Sequence, residues 1–423
     1  MPETSSFVSR AAADRCPGAL RLLEAADGFL ARVRLPGGLV SGEQLRVLAR
    51  LADELGDGRA ELTSRGNVQL RGLGADAAEA LTSELSQAGL LPSLSHDRVR
   101  NVLASPLAGL DRGADLTGVV RALDAGLCAR SRLADLPGRF LFAVDDGRGD
   151  VARLGADVVA TVRADGAVVN GLSVDCLSGQ SADAGDGVPD DLRDGVVAAM
   201  LAFCEAFLDL RAEAGGTAWR IADLAGGADR VRAAVAARLG LAAVGEEAAA
   251  RAEPGAREEP GAAAAPRPAG LVTHEQAGGG PASAAAVRDD REVSVVLIAP
   301  LGRLTSAQLT WVAERAGERG ARVTPWRSVV LPHVADAAGV LGEAARLGFG
   351  TDEGSPWLRV SACAGRPGCA SALADVQADA AEFAARWPGR LVHVSGCARH
   401  CGRPAATEVD VTATSEGYQI AGV

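Results

Sequence analysis

The sequence contains no lysine: all 43 basic residues are arginine, set against 54 acidic residues for a formal net charge of −11. Chemistry through a lysine Schiff base is therefore excluded. Any anion site must be built from guanidinium forks, which match carboxylates bidentately. The acidic balance argues against a general nucleic-acid binder, because neutralising phosphates takes a basic face. No run approaches 18 uninterrupted apolar residues, and Met1-Pro2-Glu3-Thr4-Ser5 has neither a basic n-region nor an apolar h-region. No membrane association is expected, and the chain reads as cytoplasmic. The five histidines show no metal-ligand spacing.

What is present is cysteine in a pattern. Cys363-Ala364-Gly365-Arg366-Pro367-Gly368-Cys369 is followed by Cys397-Ala398-Arg399-His400-Cys401, so four of eight cysteines fall into a C-x5-C and a C-x3-C pair. Paired thiolates on tight Gly/Pro backbone suit a cubic iron–sulfur cluster, which takes four soft anionic donors. Structural zinc favours C-x2-4-C, which the second pair satisfies and the first does not. A disulfide reading needs an oxidising compartment.

At 423 residues, 48% of them apolar, the chain is long enough for two or three cores. Phe29 to Leu35 reads as a strand, Pro36-Gly37-Gly38 as a turn, and Ser41 opens a helix carrying Leu45, Leu48, Ala49, Leu51, Ala52 and Leu55 until Gly56 stops it. A second strand is expected from Glu61 to Leu70. The pattern returns at 293–333: Pro36, Gln44, Leu45, Ala49 and Gly56 match Pro300, Gln308, Leu309, Ala313 and Gly320 at an offset of 264 residues, and after a two-residue deletion Arg65 falls opposite Arg327. Two units so far apart are no solenoid. They suggest ferredoxin-like halves pairing into one pseudo-symmetric domain.

The expected organisation is therefore α+β: 1–90 as an N-terminal segment and first half, 91–242 as a separate α/β domain, 243–290 as a linker, 291–350 as the second half, and 351–423 as the cysteine domain. In 91–242, strands are expected at 140–144 and 157–162, a hairpin at Ala164-Asp165-Gly166, and helices at 189–213 and 227–238. The linker is Ala-, Glu-, Pro- and Gly-rich without periodicity. Strands ending at Ser361 and Ser395 deliver the two cysteine pairs, with a helix at about 370–386 between them and a closing hairpin after Glu408.

Of the isolated cysteines Cys16, Cys128, Cys176 and Cys204, the last reads as core packing. His400 lies between two thiolates, and His393 reads as structural. Arg65, Arg71, Arg98, Arg100 and Arg139 sit at strand ends or Gly/Pro-bounded turns, positions suited to lining a cleft.

Together these residues resemble the nitrite/sulfite reductase superfamily. Thr63-Ser64-Arg65-Gly66-Asn67-Val68-Gln69-Leu70-Arg71 is similar to its first signature, Val99-Arg100-Asn101-Val102-Leu103-Ala104-Ser105-Pro106-Leu107-Ala108-Gly109 to its second, and the cysteine spacing to its cluster ligands. The resemblance implies a [4Fe-4S] cluster on Cys363, Cys369, Cys397 and Cys401, with Cys401 bridging to sirohaem in the reductases. It implies catalytic roles for Arg65, Arg100 and Arg139, and substrate contacts from Arg65, Asn67, Arg71, Arg100 and Asn101. Leu136-Pro137-Gly138-Arg139-Phe140-Leu141 is similar to a motif that supplies two cations to a small anion, but Leu141 stands where the second belongs. That departure, with Arg15-Cys16-Pro17-Gly18 at the start, resembles the precorrin-3B synthase branch. The branch implies a monooxygenase that converts a precorrin to a hydroxylated lactone with molecular oxygen and NADH-derived electrons. No Gly-rich dinucleotide fingerprint follows a strand, so a separate reductase or ferredoxin would deliver those electrons. Sirohaem and a non-haem iron stay open as the second centre, and a sirohaem-dependent sulfite or nitrite reductase and a plain iron–sulfur electron carrier or redox sensor stay open as alternative functions.

Overall fold

The structure, a computed structural model, describes residues 16–111, 113–163, 166–175, 187–244, 270–273 and 293–422. Arg15, Ala164, Asp165, Cys176 and most of the expected linker lie outside them.

The first half comprises β1 (Leu23–Ala25), β2 (Gly28–Val33), β3 (Leu39–Val40), α1 (Gly42–Leu55), β4 (Arg59–Leu62), β5 (Val68–Leu73) and α2 (Ala77–Gln87). The intervening unit comprises β6 (Val102–Ala104), α3 (Thr117–Cys128), β7 (Phe142–Asp145), β8 (Val158–Arg163), β9 (Gly166–Val169), β10 (Leu172–Val174), α4 (Asp190–Glu213) and α5 (Gly227–Leu239). The second half contains β11 (Gly270–Thr273), β12 (Val293–Ile298), β13 (Arg303–Thr305), α6 (Ser306–Ala316), β14 (Ala321–Val323), β15 (Ser328–Val334) and α7 (Ala337–Arg346). The cysteine-bearing unit contains β16 (Val360–Ala362), α8 (Val376–Arg386), β17 (Val392–Ser395), β18 (Val409–Thr414) and β19 (Gly417–Ala421). No helix among the described residues is long and apolar enough to cross a membrane.

The duplication is literal at the level of caps. Ser41 Oγ accepts the Gln44 amide at 3.1 Å while Gln44 Oε1 accepts the Ser41 amide, and Thr305 and Gln308 repeat this reciprocal box. Each glutamine then donates to the end of its half's second helix, Gln44 to the Ala88 carbonyl and Gln308 to that of Leu347. Helices α1 and α6 share one core through Leu45, Leu48, Ala49, Leu309, Val312 and Ala313. The helices come so close that a Cβ on Gly42 would stand 2.7 Å from the Ala313 carbonyl oxygen, so that contact requires glycine.

The sheet orders are β1-β2-β5-β4-β13 and β11-β12-β15-β14-β3. Each half closes its sheet with an edge strand from the other, β13 pairing antiparallel with β4 and β3 with β14. β11 lies inside the stretch read as a linker: Gly270–Thr273 pairs antiparallel with β12 and takes the place that β1 has in the first sheet. Composition hid it because four residues are too few to show a period.

A second correction concerns both halves. The single strand expected from Glu61 to Leu70 is two antiparallel strands, β4 and β5, with a turn at 63–67, and 324–327 is likewise a turn between β14 and β15. Thr63 Oγ1 accepts the amides of Arg65 and Asn67, and Thr324 Oγ1 those of Trp326 and Ser328. These equivalent bonds set the offset of the turn at 261, so Trp326, and not Arg327, stands opposite Arg65. The polar turn residues had been read as strand because β-branched residues flank them.

Candidate functional site

Parallel strands β16 and β17, in register from Val360↔Val392 to Ala362↔Val394, end side by side and release Cys363 and Cys397 into adjacent loops. The Gly396 amide donates to Cys363 Sγ at 3.1 Å, and the Leu373 amide to the Gly396 carbonyl, so backbone from each cysteine loop touches the other. A Cβ on Gly396 would lie 2.8 Å from Ala372 Cβ and 3.5 Å from Cys363 Sγ, leaving no room for a side chain beside the sulfur. The four cysteines are free thiols; Cys401 is exposed, the other three half-buried. Among the described residues no three of their sulfurs come within 4.8 Å of one another. Four thiolates on one zinc ion would stand about 3.8 Å apart, given Zn–S near 2.3 Å. The observed spacing does not fit a zinc site of three or four thiolates, whereas an amide donating to a thiolate sulfur is a contact that suits an iron–sulfur ligand. The helix expected from about 370 begins at Val376; 370–375 is irregular chain that carries the contacts to Gly396 and Arg366.

The cysteine unit is anchored to the first sheet. Arg71 grips Asp27 bidentately at 3.0 and 2.9 Å and donates from Nη2 to the Gly368 carbonyl at 3.1 Å. Gln377 Nε2 donates to the Cys363 carbonyl, and Arg303 on the exchanged strand β13 donates to Gln377. A cleft of about 530 Å³ separates the sheet from the loop, lined by Asp27, Arg59, Arg71, Trp357, Arg366 and Gly368 among others.

From the 63–67 turn Arg65 reaches the loop that carries Arg139. Arg65 is half-buried and approaches the Gly138 carbonyl at 3.4 Å, beside exposed Arg139, whose guanidinium lies 5.5 Å from the centre of the Trp219 ring. Burial, reinforced by the charge of Arg220, pushes the Arg65 pKa down, with Cys16 opposing. Arg32, on the same sheet, is also lowered by burial; it donates to Gln69, which donates to Glu61. Cys16 stands among these cations, since its charge raises the pKa of Arg32, Arg34 and Arg65 alike. The Leu141 position carries no latent cation pocket: Leu141 is 1% exposed and packs with Leu103, Val151 and Leu154.

Three expected substrate contacts have other employment. Arg100 spends Nε and Nη2 on Asp124 at 2.7 and 2.8 Å and Nη1 on the Leu90 carbonyl, and it is 3% exposed. Asn67 and Asn101 are buried; Asn67 Oδ1 accepts the Leu35 amide, its Nδ2 reaches Asn101 Oδ1 at 3.4 Å, and Asn101 Nδ2 donates to the Gly138 carbonyl at 3.0 Å. The pair ties the Arg65 turn to the Arg139 loop and positions both. Sequence signals missed Trp219 and Arg220, which belong to no motif, and gave Arg32 no role beyond its place in the Asp27-Gly28-Phe29-Leu30-Ala31-Arg32-Val33 strand.

Residues 22–88 match the nitrite/sulfite reductase ferredoxin-like half domain. The chain is 26% identical to ferredoxin–nitrite reductase of Synechococcus elongatus, over 93% of this chain and 78% of that one. It is 27% identical to precorrin-3B synthase of Sinorhizobium sp, over 96% and 82%. Residues 22–88 thus carry the ferredoxin-like half domain of the nitrite/sulfite reductases, and over nearly its whole length the chain is similar to a nitrite reductase and to a precorrin-3B synthase. The superfamily's α+β fold is seen again in the structure of the Mycobacterium tuberculosis NirA protein, at a TM-score of 0.66 and 19% identity, over 93% of this chain and 73% of that one. The coarse activity these relatives support for the chain is that of an oxidoreductase.

Proposed function

We propose that the chain is a precorrin-3B synthase-type monooxygenase, converting precorrin-3A to precorrin-3B by hydroxylation and lactone formation. One oxygen atom of molecular oxygen enters the product and the other leaves as water, with two electrons from NADH delivered through a separate reductase or ferredoxin. The observation that carries this reading is the burial of Leu141 in apolar core beside a single exposed Arg139. A site that holds sulfite or nitrite through six-electron reduction needs its cations paired; a large polycarboxylate needs them spread. Arg32 on the first sheet, Arg65 on its turn and Arg139 on the loop that Arg65 reaches supply three guanidinium groups from two units for such carboxylates.

Cys363, Cys369, Cys397 and Cys401 would hold a [4Fe-4S] cluster, which supplies one-electron transfer. The protein's own contribution is orientation: Arg65 and Arg139 hold substrate carboxylates, and Asn67 and Asn101 fix the two loops. We further infer a cytoplasmic setting. A sirohaem-dependent sulfite or nitrite reductase is the second reading, favoured by likeness to the Synechococcus nitrite reductase over 93% of the chain.

The deciding experiment is an absorption spectrum of protein purified without air, followed by incubation with precorrin-3A, oxygen and an NADH-driven reductase. A plain cluster spectrum with oxygen uptake and a product heavier by one oxygen atom supports the synthase. Sirohaem bands with sulfite or nitrite turnover would replace it with the reductase, and a plain cluster with neither activity would leave an electron carrier.

A further inference from the structure

Among the described residues, five that are not glycine adopt positive φ: Asn170, Leu301, Arg327, His333 and His400. Three of them are explained by the duplication. Leu301 (φ 53°), Arg327 (58°) and His333 (54°) stand where the first copy has Gly37 (65°), Gly66 (63°) and Gly72 (68°). The fold demands a left-handed residue at each place; glycine meets that demand without steric cost, and a side chain does not.

Arg327 is the informative case. The position equivalent to Arg65 is Trp326, which packs against Leu103, Leu141 and Leu154 in the intervening unit's core. In the second copy the cation is therefore displaced one residue along the turn, onto the position that favours glycine. Its stem runs over Gly302, where a Cβ would come within 2.6 Å of Arg327 Cδ, so the backbone beneath it is bare. The Arg327 side chain is exposed, and no hydrogen bond or ion pair holds its guanidinium among the described residues. Burial nevertheless lowers its pKa, with only the Glu61 charge opposing. The two turns are neighbours: a Cβ on Gly66 would stand 3.3 Å from the Val323 carbonyl oxygen, one residue before Thr324.

We propose that Arg327 is an anion-binding residue beside the Arg65 turn, contacting a second carboxylate of the tetrapyrrole that Arg65 holds. Backbone strain held at a position without a packing role marks a site where the side chain is needed for a ligand. The proposal rests on the tetrapyrrole reading above and deepens it: two arginines, one from each copy, select a macrocycle bearing carboxylates on separate edges.

The test is the Arg327→Gly variant of the full-length, cluster-loaded protein, titrated with uroporphyrin III and followed by absorbance and intrinsic fluorescence. Glycine restores the residue the first copy uses, so the melting temperature should hold or rise while affinity falls about tenfold, as loss of one charge-assisted bond predicts. Arg327→Lys should recover part of the affinity and keep the strain. Equal affinity of Arg327→Gly and the unaltered protein would overturn the role of Arg327 alone. Absence of porphyrin binding by the unaltered protein would overturn it together with the tetrapyrrole reading. A melting temperature that drops with affinity would reassign Arg327 to packing and also overturn it.

Discussion

Arg71 donates to the carbonyl of Gly368, 297 residues away in sequence, while its other N–H groups hold Asp27. The side chain expected to meet substrate instead fastens the Cys363–Cys369 loop to the first sheet. The position of one cluster-ligand pair is thus dictated by a strand of another unit.

Removing Arg71 leaves Asp27 and the Gly368 carbonyl without their donor in a largely buried setting. Arg71→Met should cost about 3–5 kcal/mol, the usual penalty for breaking a buried ion pair from one side. Urea unfolding measures it, and iron content should fall in parallel; unchanged values would mean that the loop docks without this contact.

Gly396→Ala places a methyl group against Ala372 and Cys363 Sγ. Overpacking of that kind costs about 1–3 kcal/mol, and because the methyl group presses on a sulfur donor, cluster loading should suffer first. Iron and sulfide analysis of anaerobically purified variant protein reads the effect directly.

Leu141→Lys would restore the basic residue of the reductase motif in name only. Leu141 is core, so the variant should be destabilised by several kcal/mol and should gain no sulfite or nitrite reduction. A folded, active reductase from this substitution would contradict the burial of that position.

Asp157 accepts the amides of Leu141 and Ile221 and pairs with Arg220. Burial still dominates and raises its carboxyl pKa, with Arg220 pulling the other way. The folded protein therefore binds this proton more tightly than the unfolded chain. Its contribution to stability is complete below the ordinary carboxylate range and is lost as pH rises through the raised value. Asp157→Asn should flatten that segment of the stability–pH curve, measured by urea midpoints at a series of pH values.

Helices α1, α4, α5 and α6, the repeat and the cysteine-bearing strand ends were legible in the sequence, since capping signals such as Ser41 and Thr305 and apolar periodicity are local; α2, α3 and α7 were not read. Loop conformation was not. The turn at 63–67 is made by Thr63 Oγ1 accepting two amides, which propensity does not reveal when Val68 and Leu70 follow. The site was legible as motifs and only partly as geometry. Arg65 reaches the Arg139 loop, but Arg100 and Asn101 of the second signature look inward, because Asp124 and Gly138 come from segments whose placement only the tertiary fold fixes. The Asn170-Gly171 turn joining β9 to β10, with Asn170 at φ 44°, is a local signal that had been overlooked.

The traded edge strands have an evolutionary and practical reach. Neither half owns a complete sheet, because β3 lies with the second copy and β13 with the first. A fragment ending before Gly270 would display an unmet strand edge on each side of the exchange, and so would its complement. Produced apart, the fragments should aggregate or stay unfolded; produced together, they should reassemble as a heterodimer, the arrangement from which a fused gene of this kind could have descended.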